Sequence, residues 1–248
     1  MKIAVYCQHV LGIGHLFRTL EIARALAPHE VLLLSGGRDL DLPLPAHVRI
    51  HRLPALVSDD RFGAWHTADG RPVATVLEER RGRLQAIFRR ERPDVFLVEL
   101  YPFGRKAFRG ELDPLLSHLA AQAPACRVVC SLRDILVEKD AQGRHEARAA
   151  ETLNRWFHLL LVHADPAVVR LEATYGRLAE IRVPIRYTGF VAPPRPKGNR
   201  APCRPRRGVA VCPVLGPEHT MARLETGWVM YRRYFLWKWR RSLRKKQA

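Results

Sequence analysis

The chain has 248 residues, room for one large domain or one and a half at roughly 100–200 residues per domain. Its 47% apolar content is ordinary for a globular protein, but its formal charge of +18 is uneven. Residues 1–192 carry 27 Lys and Arg against 22 Asp and Glu, whereas residues 193–248 carry 15 against only Glu218 and Glu225, so whole-chain charge is no argument for nucleic-acid binding.

Ile3–Tyr6 reads as a buried strand, followed by the turn Leu11-Gly12-Ile13-Gly14 and a helix from His15 to Ala27 with Leu16, Leu20, Ala23 and Ala27 at helical spacing. Glu30–Leu34 is a second strand, stopped by Ser35-Gly36-Gly37, and Val48–His51 a shorter third. Residues 54–72 mix Pro, Asp, Gly and Trp without period and read as an extended loop. Val73–Arg92 is an amphipathic helix, Val95–Val98 a strand, Phe103–Gln122 a helix, Arg127–Leu132 a strand and Gly143–Trp156 a helix. His158–His163 is a strand, Pro166–Thr174 a helix with Asp165 as its N-cap, and Ile185–Tyr187 a last short strand. Strands that are continuous apolar runs, alternating with helices, predict an α/β domain over 1–192 with a doubly wound parallel sheet. Ligands of such sheets sit outside the carboxyl ends of the strands, which selects the residues worth examining.

From Pro193 the texture changes to a Pro- and Arg-rich linker and then to interleaved Trp, Tyr, Arg and Lys. This poorly ordered basic tail, 193–248, has three readings. It is peripheral contact with an anionic membrane surface, nucleic-acid binding by phosphate contact and stacking, or the product of a shifted reading frame in GC-rich DNA. The last is favoured, and nucleic acid is the weakest. Five cysteines at irregular spacing, with no C-x-x-C, give neither a disulfide framework nor a zinc ribbon. They suit a reducing cytoplasm. The start, Met-Lys-Ile-Ala-Val-Tyr-Cys, is a strand and not a leader, and no apolar run approaches the ~18 residues of a membrane span.

Gly12, Gly14 and His15 stand between the first strand and its helix. Glycines there permit close approach of a ligand, the helix amino terminus favours an anion, and His15 is placed to take a proton from a hydroxyl. A capped glycine turn is the plain alternative; Phe17 at the third glycine position argues against a dinucleotide fingerprint. Glu99, Arg133, Asp134, His163 and Asp165 follow strand ends in the same way. For each a structural role, as a turn residue, ion pair or helix cap, competes with ligand contact. Asp39-Leu40-Asp41 spells the metal-holding D-x-D of some transferases, but a three-residue match in a Pro-rich turn is weak, and no metal is expected.

Six ordered blocks carry a resemblance. They are Gln8-His9-Val10-Leu11-Gly12-Ile13-Gly14-His15-Leu16-Phe17-Arg18, Ser35-Gly36-Gly37-Arg38, Val98-Glu99-Leu100-Tyr101-Pro102-Phe103-Gly104-Arg105, Ser131-Leu132-Arg133-Asp134-Ile135, Val162-His163-Ala164-Asp165-Pro166 and Tyr187-Thr188-Gly189-Phe190-Val191. Together they resemble a group of bacterial glycosyltransferases related to the family of the UDP-N-acetylglucosamine transferase of peptidoglycan synthesis (glycosyltransferase family 28-like). Leu100 departs from the His expected there. The resemblance implies the GT-B architecture, two Rossmann-like domains across a cleft, of which 1–192 would be the amino-terminal, acceptor-binding one. It implies a nucleotide-sugar donor, an acceptor of unknown identity, no cofactor, and displacement at the anomeric carbon with a base activating the acceptor hydroxyl. By position His15 is the base, Gly12 and Gly14 form a loop near the diphosphate, and Arg18, Glu99, Arg133, Asp134 and His163 line the acceptor side. After Val191 the family pattern of a second glycine-rich domain is not recognisable, so the expectation is a truncated transferase, weak or inactive alone. A nucleotide-sugar 2-epimerase on the same fold, and a non-enzymatic acceptor-binding or membrane-associated module, are the rivals.

Overall fold

The computed structural model describes residues 1–9, 14–37, 43–58, 65–67, 69–133 and 143–192. The tail from 193, Gly12, Asp134 and the Asp39–Asp41 pair lie outside the described residues. Strands β1 (Lys2–Cys7), β2 (Glu30–Ser35), β3 (Val48–Arg52), β4 (Leu56–Ser58), β5 (Trp65–Thr67), β6 (Val95–Glu99), β7 (Arg127–Arg133), β8 (Leu159–His163) and β9 (Ile185–Tyr187) are joined by helices α1 (Gly14–Ala25), α2 (Val73–Glu91), α3 (Arg109–Gln122) and α4 (Arg144–Trp156). Seven strands form one parallel sheet in the order β3-β2-β1-β6-β7-β8-β9. The order reverses between β1 and β6, so a crevice opens there at the carboxyl ends of the strands.

Side-chain alternation along β1 shows why the sheet is covered on both faces. Ile3, Val5 and Cys7 pack with Leu16, Leu20 and Ala23 of α1, while Ala4 and Tyr6 pack with residues of α2, α3 and α4. Each buried leucine of α1 contributes about 2 kcal/mol. The placement is that of right-handed crossovers, with α1 on one face and the helices after β3 on the other.

A buried charge pair ties the second face together. Arg80 of α2, fully buried, donates to both carboxylate oxygens of Glu111 of α3, at 2.8 and 2.7 Å, and to Gln8 Oε1 at 2.6 Å and the Pro54 carbonyl at 2.7 Å. The Tyr6 hydroxyl donates to Glu111, and the Phe108 ring lies 5.0 Å from the guanidinium carbon. Burial lowers the proton affinity of Arg80, but the Glu111 hydrogen bonds overcome it and the guanidinium is held charged, above its ordinary value. Gly36 belongs to the same knot: a Cβ there would collide with Gln8 and Arg80. The network fixes the chain where it leaves β1 and β2, on one side of the crevice.

Three readings of the sequence need correction. The 54–72 stretch holds an antiparallel hairpin, Leu56–Ser58 against Trp65–Thr67, because Leu56 is buried and the Trp65 ring stands edge-on to Phe108 at 5.4 Å. Three-residue strands are too short to show a period. The helix expected from Phe103 starts at Arg109, after a tight turn and a 3-10 turn at Lys106–Phe108. The segment 166–174 is not an α-helix. Asp165 accepts from the N–H groups of Ala167, Val168 and Val169 in one turn, Arg170 is extended, and a 3-10 turn at Leu171–Ala173 follows. Burial of Leu171, whose N–H donates to the Tyr187 hydroxyl at 2.8 Å, pulls the chain inward where a helix would have carried it past the core.

Candidate functional site

The crevice between β1 and β6 gathers polar side chains from three places. Glu99 is the last residue of β6 and shares a sheet face with Val95 and Leu97, so it points towards α1. There its carboxylate, 3% exposed, meets His15 in the first turn of α1, with Oε1 2.5 Å from Nδ1. Arg18, one turn on, lies 3.5 Å from the same oxygen and 3.2 Å from Nδ1. An ionised carboxylate only accepts. Nδ1 therefore carries its proton and donates it to Glu99, and Arg18 is the cation that faces the same carboxylate oxygen. Nε2, on the far side of the partly exposed ring, is left able to accept a proton. That is the arrangement of a general base held and charge-compensated by a buried acid.

The fourth member is Arg105. The chain turns back immediately after Glu99. Tyr101 N–H donates to the Glu99 carbonyl at 2.9 Å around Leu100, whose φ is 66°, and Gly104 N–H donates to the Leu100 carbonyl at 2.8 Å. Arg105, with φ 61°, then brings its Nε to 3.7 Å from Glu99 Oε2. Two non-glycine residues in the left-handed region cost about 1 kcal/mol or more each, a strain that a loop retains where its surroundings dictate it. Arg105 ends the motif block that begins at Val98, but the sequence reading assigned it no site role. The signal available was the Pro102 and Gly104 pair, which marks a turn short enough to return the next arginine to the preceding carboxylate.

His163 belongs to a separate cluster. It ends β8, is buried, and places Nε2 2.7 Å from the Ser131 hydroxyl and Nδ1 2.8 Å from that of Thr188. Thr188 donates to the Gly189 carbonyl at 3.0 Å, so it accepts from Nδ1–H, and Ser131 donates to Nε2. Burial, and then the positive charge of Arg18, push His163 down to about 3. The ring is neutral and both its nitrogens are occupied, which suits a support beneath the crevice more than a proton acceptor. Arg133 is partly buried at the end of β7, opposite His163 in the strand register. Cys7, at the end of β1, is pushed up to about 12 by burial and then by Glu99, so its thiol is inert beside the site. Gly14 opens α1, and among the described residues no atom lies within 4 Å of where its Cβ would stand. Next to it, Phe17 exposes 44% of its surface. Among the described residues no group of three or more His, Cys, Asp or Glu is placed to hold a metal ion, and no helix is long and apolar enough to cross a membrane.

The chain matches no family model and no curated protein. Solved structures do resemble it. One is a UDP-glucosyltransferase from Polygonum tinctorium capable of glucosylating indoxyl, at 12% identity over 82% of this chain and 55% of that one, with a TM-score of 0.45. Another is UGT2 of Phytolacca americana, complexed with UDP-2fluoro-glucose and pterostilbene, at 12% identity over 77% and 54%, TM-score 0.47. A third is the UDP-N-acetylglucosamine 2-epimerase of Rickettsia bellii, at 12% identity over 77% and 45%, TM-score 0.43. The chain spans about half the length of these three proteins. The functional reading rests on the site and the motif blocks.

Proposed function

We propose that residues 1–192 form the acceptor-binding half of a glycosyltransferase that moves a hexosyl group from a nucleotide sugar to an acceptor hydroxyl. The observation that carries it is the His15–Glu99 pair, 2.5 Å apart at the point where the strand order reverses. In this reading Nε2 of His15 takes the hydroxyl proton as the oxygen attacks the anomeric carbon. The nucleoside diphosphate leaves with the bonding electrons, and Glu99 stabilises the imidazolium that forms. The six motif blocks support assignment to the family 28-like group. Residues outside the described ones, or a second polypeptide, would position the donor, and the described domain alone would then be a weak catalyst. Arg18 and Arg133 would face the acceptor side.

The test is release of nucleoside diphosphate from UDP-, dTDP- and GDP-hexoses by the full chain, given a pool of hydroxylated cell metabolites and lipids. The same assay is run with a separately expressed donor-binding domain of a related transferase. His15→Ala should lower release by about 10²–10⁴-fold, the usual worth of a general base. Release that is unaffected by His15→Ala, or that no nucleotide sugar supports in either arm, would sink the reading.

A further inference from the structure

The sheet ends on β9, and among the described residues no strand lies beyond it. The parallel ladder between β8 and β9 fixes which main-chain groups face that open edge. The Pro184 carbonyl accepts from the Leu160 N–H at 3.0 Å, and the Thr188 N–H donates to the Val162 carbonyl at 3.0 Å. Successive residues of a strand turn their N–H and C=O groups to opposite sides. Pro184, Arg186 and Thr188 therefore face β8, and Ile185 and Tyr187 face away from it. The Arg186 guanidinium donates to the Ile185 carbonyl at 2.8 Å. The N–H groups of Ile185 and Tyr187 and the Tyr187 carbonyl meet no partner among the described residues.

Side chains along this edge are patterned for a neighbour. Ile181-Arg182-Val183-Pro184-Ile185-Arg186-Tyr187 alternates apolar and polar residues. Val183, Ile185 and Tyr187 pack against the core beneath α2, α3 and α4, yet they are only partly buried. Pro184 lacks an N–H, but its position faces β8, so the open edge loses no donor through it. An unpaired edge beside an apolar strip is a template for one more strand.

We propose that Gly208-Val209-Ala210-Val211-Cys212 of the same chain pairs antiparallel with β9 and becomes the eighth strand of the sheet. The chain leaves the described residues at Ala192, directly past this edge, and 56 residues follow. Residues 193–207 can reach about 50 Å when extended, whereas β9 from Pro184 to Thr188 is only about 17 Å long. Leaving from the carboxyl end of β9, the chain needs no crossover to return antiparallel. Gly208–Cys212 is the first uncharged run after that linker, and its valines alternate with small residues. In this pairing Val211 and Val209 stand opposite Ile185 and Tyr187 and exchange main-chain hydrogen bonds with them. Their side chains cover the apolar strip, and Ala210, on the other face, leaves room for Arg186.

Amide hydrogen exchange of the full chain, read residue by residue, tests this at β9 itself. The Ile185 and Tyr187 amides should exchange at least tenfold more slowly in the wild-type chain than in the double variant Val209→Pro, Val211→Pro, whose added strand has lost both inward donors. The Arg186 and Thr188 amides, which face β8, should be equally protected in both chains. If Ile185 and Tyr187 exchange as fast in the wild type as in the variant, or equally slowly in both, the proposal is overturned. Protection of these two amides that rises with chain concentration would also overturn it, in favour of a second copy at the same edge. No nucleotide sugar enters the measurement, so its outcome is independent of the transfer reading.

Discussion

Glu99 shows how much a single side chain is asked to do at this site. It accepts from His15, compensates Arg18 and Arg105, and raises the Cys7 thiol, all from a position 3% exposed to solvent. Replacing it with Gln keeps the shape but removes the charge that stabilises a protonated His15. In the nucleotide-release assay, Glu99→Gln should lower kcat by about 10²-fold or more with a smaller change in KM, because the missing interaction is strongest when the proton has moved. An increase in KM alone would mean that Glu99 holds substrate and does not serve the base. The residue types at this site were legible in the sequence: His15 after a glycine turn and Glu99 at a strand end both stand where a parallel sheet places its ligands. Their partnership was not legible, since 84 residues separate them and only the neighbouring of β1 and β6 joins them. Arg105 was less legible still, because nothing in Leu100 announces a positive φ.

At the scale of elements, α2 and α3 are joined through Arg80 and Glu111, and the ends of β1 and β2 hang on the same pair through Gln8 and Gly36. Arg80 looked like one of the polar arginines of an amphipathic helix. Its burial follows from the helix packing against α3 and the hairpin, which periodicity along α2 alone does not reveal. The long strands and helices were readable from apolar periodicity, and the errors fell where tertiary burial overrides local preference, at the hairpin and at Leu171, and in the turns that delay α3 to Arg109. Removing one partner of a buried pair strands the other charge. Arg80→Met and Glu111→Leu should each destabilise by about 3–5 kcal/mol, and the double variant by less than the sum of the two, measured by urea unfolding. Additive losses would show that the two residues do not act as a pair.

For the whole molecule, the buried His163 makes stability depend on pH. In the unfolded chain a histidine takes up a proton near pH 6.5. In the fold His163 does so only at about 3, because burial, and then Arg18, disfavour the charged ring. Between those limits the unfolded state binds more protons, so stability is complete above about pH 6.5 and is lost as pH falls towards 3, at up to about 1.4 kcal/mol per unit. Glu91, held down to about 2 first by Lys2, titrates lower, which leaves the arm from about pH 6.5 to 4.5 to the histidines. His51, also lowered by burial, adds its own share to that arm. Urea midpoints of the wild-type chain should therefore fall steadily over this range. His163→Gln should be less stable at pH 7.5, having lost the paired bonds to Ser131 and Thr188, yet should show a flatter pH dependence. The two curves should converge towards acid pH, where the wild-type ring is penalised and the variant has nothing to protonate. Parallel curves would mean that His163 takes up its proton in the fold at the same pH as in the unfolded chain, and that burial does not hold the ring neutral.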